Sequence, residues 1–419
     1  MLNRKNAPSL KEIDYIDFIE PNKIALNDIV SFYHVPQVAN ETARFDLYFD
    51  AGKCTIKGGT SSFVNGLLLS GTPNKKSTEI EAEISALGGY YETGVGMESA
   101  VVSIYCLREN FKEIFDILID AINNVTFPIE EIEEIVADKK QQFKINQEKV
   151  SAISQRIFQS KLFASNEAYS SLMNEEDFEN VDRNSLIEYH KKHYLNGLTK
   201  VVLVGNIDDA TVNHVISQTK PLLTEKQRNY PSQFKNEIGE THIAKEDAVQ
   251  SAVRIGRILF NKKHEDYIDF LFLNTILGDY FGSRLMSNIR EDKGYTYGIG
   301  SMVSEFDNTG YFMIATEVGN EVREATINEI KFEMNRLQTE LVKQDEIQLI
   351  QNYLLGQLLK SADGPYAMMD LFLSAEAQNF DLDFYNTVID KIKSISAERI
   401  QMLAKKYLNW EDMTIVTAG

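Results

Sequence analysis

A short segment that occurs twice constrains the fold of this chain more than any other feature. Residues 192–196 read KHYLN and precede the strand-like run KVVLVG, while residues 405–409 read KKYLN and precede the strand-like run MTIVT. The two copies are 213 residues apart in a chain of 419. A helix end and strand that recur at about half the chain length indicate two similar domains in tandem. The length also suits two domains with a core each.

Both halves of the chain mix predicted strands with predicted helices. Apolar and polar residues alternate over 45–49, which is the period of a strand, whereas apolar positions three and four apart indicate a helix. Thr78 and Glu81 have capping-box spacing ahead of one such helix. Strands are predicted at 45–49, 99–107, 252–259 and 310–318, and helices at 78–87, 110–122, 128–163 and 267–277.

The predicted fold class is α/β (α+β). Residues 221–240 contain two prolines, mixed charge and no apolar period, which indicates a linker. The expected domains are therefore 1–220 and 241–419. We expect each domain to have a mainly antiparallel or mixed sheet with helices packed on one face.

Composition excludes several classes of function. The net charge of −19, with a sequence pI near 4.9, repels phosphate backbones, because nucleic-acid binding needs clustered Lys and Arg. There is no basic amphipathic stretch, no apolar run long enough for a membrane span, and no apolar segment behind residues 1–5 that would indicate a secretory signal. Cys54 and Cys106 lack C-x-x-C spacing. We expect a cytoplasmic protein that binds neither nucleic acid nor membranes.

The most distinctive segment is 283–298, which reads SRLMSNIREDKGYTYG. It resembles a segment in the second domain of the pitrilysin/insulinase/mitochondrial processing peptidase family. Residues 205–207 (GNI), residues 250–251 (QS) at the start of a strand, and Gly310 in the run DNTGYF are also similar to that family. The resemblance covers essentially the whole chain and implies the two-domain fold of the family, in which two subunits close like a clamshell.

The resemblance implies that Arg290 and Tyr297 bind substrate. The chemistry is suitable, because a guanidinium can donate two hydrogen bonds to a carbonyl or carboxylate. A phenol can donate to the oxyanion that develops on a scissile carbonyl. The alternative interpretation is that Arg290 is a surface cation on a helix and Tyr297 a half-buried aromatic residue of a strand.

Active members of the family carry an inverted zinc motif, H-x-x-E-H, on a helix of the first domain. There the histidines bind zinc, the glutamate acts as general base, and a glutamate of a later helix completes the site. Residues 61–72 of this chain read SSFVNGLLLSGT and fit the frame around that motif. The alignment places Ser62 and Gly66 at the histidines, Asn65 at the base, and Phe143 at or next to the later glutamate.

The residues at these positions do not suit metal chemistry. Glycine has no side-chain donor, serine is a poor zinc ligand, and a neutral amide cannot take a proton from water. Loss of the general base alone lowers the rate by about 10²–10⁴-fold. The resemblance therefore implies a chain with no metal or other cofactor of its own and no peptidase activity by itself.

His190 and His193 are an alternative place for a metal. They lie at i and i+3 on a predicted helix, a spacing compatible with metal binding. His193 matches Lys406 in the repeated segment, so we expect its side chain to be solvated and the pair to bind no metal.

These observations lead to a specific functional hypothesis. The resemblance implies a non-catalytic, substrate-binding subunit that pairs with a homologous zinc-bearing subunit and acts on peptides or unfolded polypeptides. Arg290 and Tyr297 would complete the active site of the partner, which would supply the zinc. A structural or peptide-binding protein with no role in proteolysis is the alternative, and an active enzyme with a rebuilt site is a third possibility. A homodimer also remains open.

Overall fold

A computed structural model describes residues 12–419. Its strands form two separate sheets, one in each half of the chain. The first sheet contains β1 (Asn22–Ala25), β2 (Ser31–Val35), β3 (Thr42–Phe49), β4 (Tyr90–Val95), β5 (Ala100–Leu107) and β6 (Leu198–Val204). The second contains β7 (Gly239–Ile243), β8 (Gln250–Leu259), β9 (Ile299–Glu305), β10 (Gly310–Gly319) and β11 (Thr414–Ala418).

The two sheets have matching topologies, except that the first sheet has one additional edge strand, β1. Their strand orders are β1-β2-β6-β3-β5-β4 and β7-β11-β8-β10-β9. The strands that follow the repeated segment, β6 and β11, occupy equivalent places. Each has one parallel neighbour (β2 or β7) and one antiparallel neighbour (β3 or β8). The predicted fold class, with two similar mixed sheets in tandem, is therefore confirmed.

Helices surround both sheets, and their apolar faces form the cores. In α3, for example, Phe111, Ile114, Phe115 and Leu118 are buried at helical spacing. The helices of the first half are α1 (Thr60–Gly66), α2 (Ser77–Ala86), α3 (Phe111–Asn124), α4 (Ile129–Gln147), α5 (Val150–Leu162), α6 (Glu167–Ser170), α7 (Glu175–Glu179), α8 (Arg183–His193) and α9 (Asp209–Thr219). Those of the second half are α10 (Tyr267–Leu277), α11 (Arg323–Thr339), α12 (Gln344–Ser361), α13 (Pro365–Glu376), α14 (Asp383–Ser394) and α15 (Ala397–Tyr407).

Two predicted helix boundaries were wrong. The single helix predicted over 128–163 is two helices, because Lys149 has an extended backbone that ends α4 and begins α5. The capping box predicted at Thr78 also lies elsewhere. The helix begins at Ser77, and the Glu79 carboxylate accepts a hydrogen bond of 2.8 Å from the backbone N–H of Lys76.

The break after α4 allows the two halves to exchange helices. Phe158 of α5 packs against the second sheet beside Val416. A Cβ at Gly256 would lie 2.9 Å from that phenylalanine ring, so the glycine permits the close approach. In return, Phe372 of α13 packs edge-to-face on Tyr33 of the first sheet, with ring centroids 4.9 Å apart. Each sheet thus has its own helices on one face and a helix of the other half on its second face.

We propose to keep the division into 1–220, 221–240 and 241–419. The first sheet ends at Val204 of β6 and the second begins at Gly239 of β7, near the end of the proposed linker. No helix within residues 12–419 combines the length and apolar content needed to cross a bilayer.

Candidate functional site

The segment 283–298 lies between α10 and the edge strand β9 of the second sheet. Met286–Asp292 forms a π-helix, a wide turn that often occurs at functional sites. Its side chains Met286 and Ile289 are buried in the second core, which places Arg290 on the outside. Gly294 has a φ of 68°, a left-handed conformation that turns the chain back toward β9.

The structure brings Arg290 and Tyr297 together. The Arg290 Nε donates a hydrogen bond of 3.1 Å to the backbone carbonyl of Tyr297. On its other side the Arg290 guanidinium stacks on Phe281, 4.6 Å from the ring centroid. The Tyr297 side chain is on the surface, because the residue is 95% exposed. It lies in the loop before β9, so the alternative of a half-buried strand aromatic is wrong.

Threonine hydroxyls hold this loop against the sheet. The Thr296 hydroxyl donates to the carbonyl of Glu317 at 2.8 Å, and the Thr316 hydroxyl lies 3.0 Å from that of Thr296. The backbone on either side of Tyr297 is therefore fixed although its phenol is solvated. Such a loop presents a side chain with little ordering cost on binding.

The four positions that the alignment assigns to a zinc site differ in their surroundings, since Asn65 is buried whereas Gly66 is exposed. The Asn65 amide is buried and donates a hydrogen bond of 3.1 Å to the Tyr194 hydroxyl. A Cβ at the exposed Gly66 would lie 2.5 Å from Cδ1 of Ile135 on α4, so a larger side chain there requires that half-buried methyl group to move. Phe143 packs at a tilted angle against Phe178, with ring centroids 5.3 Å apart, as part of the apolar packing between α4 and α7.

These residues do not fit a zinc ion. Ser62 is half-buried, and it lines a cavity of about 420 Å³ together with Phe143. The charged residues that line this cavity are Lys53, Lys57 and Arg156, all of them cations. Among residues 12–419, no group of three or more His, Cys, Asp or Glu side chains could hold a metal ion.

His190 and His193 are structural residues. Both are buried, so the expectation that His193 is solvated was wrong. His190 Nε2 lies 2.8 Å from the carbonyl of Ile122, His193 Nδ1 bonds the carbonyl of Asp50, and burial lowers the pKa of both imidazoles. Lys406, at the matching place of the second half, is exposed and pairs with Asp266. The repeat preserves the helix but not the environment of this position.

Sequence reasoning missed one residue beside the Arg290–Tyr297 pair. Arg254 of β8 is buried and lines a cavity of about 360 Å³ together with Tyr297. The signal was a cation inside the apolar strand run QSAVRIGRIL, where a buried charge requires a partner.

Comparison with known protein families matches two models to consecutive parts of the chain. Residues 38–176 match the model described as insulinase (peptidase family M16), and residues 180–354 match the one described as peptidase M16 inactive domain. An uncharacterized zinc protease of Rickettsia felis is 24% identical over 71% of this chain and 74% of its own length. The mitochondrial-processing peptidase subunit beta of Caenorhabditis elegans is 23% identical over 60% of this chain and 58% of its own.

Solved structures share the fold. The crystal structure of a peptidase M16 inactive domain from Pseudomonas fluorescens superposes with a TM-score of 0.86 at 20% identity, covering 95% of this chain and 98% of that one. A protease from Helicobacter pylori superposes with a TM-score of 0.83 at 15% identity, covering 96% of this chain and 100% of that one.

Proposed function

The chain belongs to peptidase family M16, and we propose that it is the non-catalytic, substrate-binding subunit of a zinc metallopeptidase heterodimer. In this proposal a homologous subunit provides the zinc site, and the two subunits close like a clamshell around a peptide or unfolded polypeptide. This chain contributes Arg290 and Tyr297 to the site of its partner.

The geometry of the Arg290–Tyr297 pair is the observation that carries the proposal. Arg290 uses its Nε to hold the Tyr297 backbone. Its Nη1 lies 3.9 Å from a carboxylate oxygen of Glu291, beyond hydrogen-bond distance, so the terminal nitrogens can still donate to a peptide carbonyl or carboxylate. Within residues 12–419 the Tyr297 hydroxyl has no hydrogen-bond partner, and its 95% exposure allows it to reach a substrate held by another subunit. A phenol donor at the scissile carbonyl stabilises the oxyanion as it forms.

The first half explains why a partner is needed. Asn65 cannot act as a general base, since its side chain is a neutral amide that already donates to Tyr194. The adjacent cavity is lined by Lys53, Lys57 and Arg156, and these cations repel a divalent metal ion. Both observations support the proposal that zinc, the attacking water and the base come from the homologous subunit.

Substitutions in the reconstituted pair test the proposal. We expect Tyr297→Phe to lower kcat about 10²–10³-fold, the effect of removing one oxyanion donor, and Arg290→Ala to lower kcat/KM. Hydrolysis of an unstructured fluorogenic peptide is the readout. Tyr295→Phe and Lys293→Ala are matched controls from the same loop and should leave turnover unchanged. Equal turnover of Tyr297→Phe, Arg290→Ala and the wild-type chain would overturn the assignment of the pair.

The same experiment separates the alternative, a structural or peptide-binding protein with no role in proteolysis. That alternative requires the chain to bind peptides without changing the turnover of the zinc-bearing homologue. Fluorescence anisotropy with the labelled peptide measures binding independently of hydrolysis, so the two functions give different combinations of results.

A further inference from the structure

Arg254 is a buried cation in the second sheet. Its neighbours on β8, Val253 and Ile255, point into the second core, so Arg254 faces the opposite side of the sheet. The residue is only 9% exposed. Its Nη1 donates to the backbone carbonyls of Val253 at 3.0 Å and Thr316 at 3.3 Å, whereas its Nε is buried without a partner.

The Arg254 guanidinium has no counter-charge in contact with it. No carboxylate of residues 12–419 lies within ion-pair distance, and residues 1–11 contain neither Asp nor Glu. Two other arginines of this half do have carboxylate partners. Arg257 pairs with Asp412 at 2.8 Å, and Arg284 pairs with Glu346 at 3.0 Å. A buried charge without an ion-pair partner is unfavourable. Burial lowers the pKa of Arg254, and the Glu317 carboxylate in the wall of the same cavity offsets this only in part. Such a residue is expected where a ligand supplies the missing charge.

The surroundings of Arg254 connect it to the proposed peptide site. It lines the cavity of about 360 Å³ that also has Tyr297 in its wall. The Thr316 carbonyl accepts a hydrogen bond from Arg254, while the Thr316 hydroxyl contacts Thr296, the neighbour of Tyr297. Arg254 and the loop that carries Tyr297 are therefore both hydrogen-bonded to Thr316 of β10. A ligand that touches Tyr297 can enter the cavity in front of Arg254.

We propose that Arg254 binds a carboxylate of the peptide held by Arg290 and Tyr297, which makes this cavity a subsite for acidic peptides. The proposal rests on the proposed function, since that pair holds the peptide. A guanidinium can bind a carboxylate with two charge-assisted hydrogen bonds. The Glu317 side chain lines the same cavity and repels such a ligand, so Glu317→Gln should tighten binding.

Three labelled peptides identify the source of the carboxylate. The first has an internal Glu and an amidated C-terminus, the second has Gln in its place with the same amide, and the third is the Gln peptide with a free C-terminus. Anisotropy titrations of the full chain give the three values of Kd. We expect the Glu peptide or the free-terminus peptide to bind about 10-fold tighter than the amidated Gln peptide. Equal affinities for all three would overturn the subsite.

Arg254→Gln should remove this preference, and Arg257→Gln, a cation on the same strand with its own carboxylate partner, should retain it. Arg254→Met is the second variant, because it replaces the cation with an apolar side chain of similar length and should fold at least as stably as the wild type. A preference that persists in both Arg254 variants would contradict the proposal. The proposed function would then still stand if Arg290→Ala weakened all three peptides equally, whereas it would fail if Arg290→Ala and Tyr297→Phe left turnover unchanged.

Discussion

In the first half of the chain the Asn65 side chain of helix α1 is buried, whereas in the second half the Tyr297 side chain of the segment 286–298 lies in solvent. Tyr194 binds the buried Asn65, and Cδ1 of Ile135 lies close to the exposed Gly66. The Tyr297 side chain has no such covering, because it is 95% exposed, whereas Arg290 is half-buried between the Phe281 ring and the Tyr297 backbone. The two halves share one sheet topology, so the difference lies in side chains and not in architecture.

The two regions differ in whether their polar side chains contribute to the stability of the chain. A region that holds no metal can be packed with apolar side chains and gains stability from their burial. An exposed phenol on a pinned loop contributes little to stability. It therefore needs a functional explanation, and the binding of a substrate held by a partner provides one.

Substitution of Gly66 by His gives the largest expected effect. The new side chain would displace Cδ1 of the half-buried Ile135, and overpacking costs about 1–3 kcal/mol. Urea unfolding of Gly66→His, of Ile135→Ala and of the double variant forms a double-mutant cycle. We expect Ile135→Ala to relieve part of the cost. Wild-type stability of Gly66→His would show that the first site is open, which would break the comparison.

As the pH falls, we expect the first half of the chain to lose stability before the second half does. Burial lowers the folded-state pKa of His190 to about 4, whereas an unfolded histidine has a pKa near 6.5. The unfolded state therefore binds the proton first, so the stability from neutral His190 is complete above pH 6.5 and declines down to pH 4. The loss is about 1.4 kcal/mol per pH unit, or about 2 kcal/mol by pH 5.

The corresponding cluster of the second half responds at lower pH. Burial raises the pKa of Asp266, but hydrogen bonds from Lys406, Tyr407 and Arg399 hold that pKa below its usual range. Its stabilisation is thus lost only below the ordinary range of an aspartic acid. Hydrogen exchange at pH 5 should show α8 losing protection before α15. The same pH dependence in His190→Gln as in the wild type would contradict this account.

Removal of one hydroxyl gives the smallest effect. Tyr194→Phe leaves the buried Asn65 amide without its partner and should lower the free energy of unfolding by about 1 kcal/mol or more. Tyr297→Phe, the same change at an exposed residue, should alter it by less than about 0.5 kcal/mol. Thermal and urea unfolding of the two variants measure the contrast. Equal losses would mean that Tyr297 also has a structural role.

The sequence predicted the architecture better than the environments of single residues. The spacing of KHYLN and KKYLN correctly predicted two similar domains, because a repeated helix end and strand indicate a repeated fold. The exchange of α5 and α13 was not predicted, since an apolar face does not reveal which sheet it will cover. The error at His193 has a similar cause. Its imidazole bonds the carbonyl of Asp50, a residue far away in the sequence, and the segment KHYLN alone does not indicate that contact.

The candidate site was predicted in part for a similar reason. The motif located Arg290 and Tyr297, but the backbone hydrogen bond that joins them and the stacking on Phe281 follow from the π-helix and the loop. Arg254 is distant in sequence from both and reaches the cavity only through the pairing of β8 with β10.

Titration of the zinc-bearing homologue with this chain tests the central claim most directly. Peptidase activity at a fixed concentration of the homologue should rise as the chain is added and level off at one chain per homologue, while the chain alone should neither hydrolyse peptide nor retain zinc. Peptide hydrolysis and stoichiometric zinc in the isolated chain, or no rise in activity on mixing, would contradict the account.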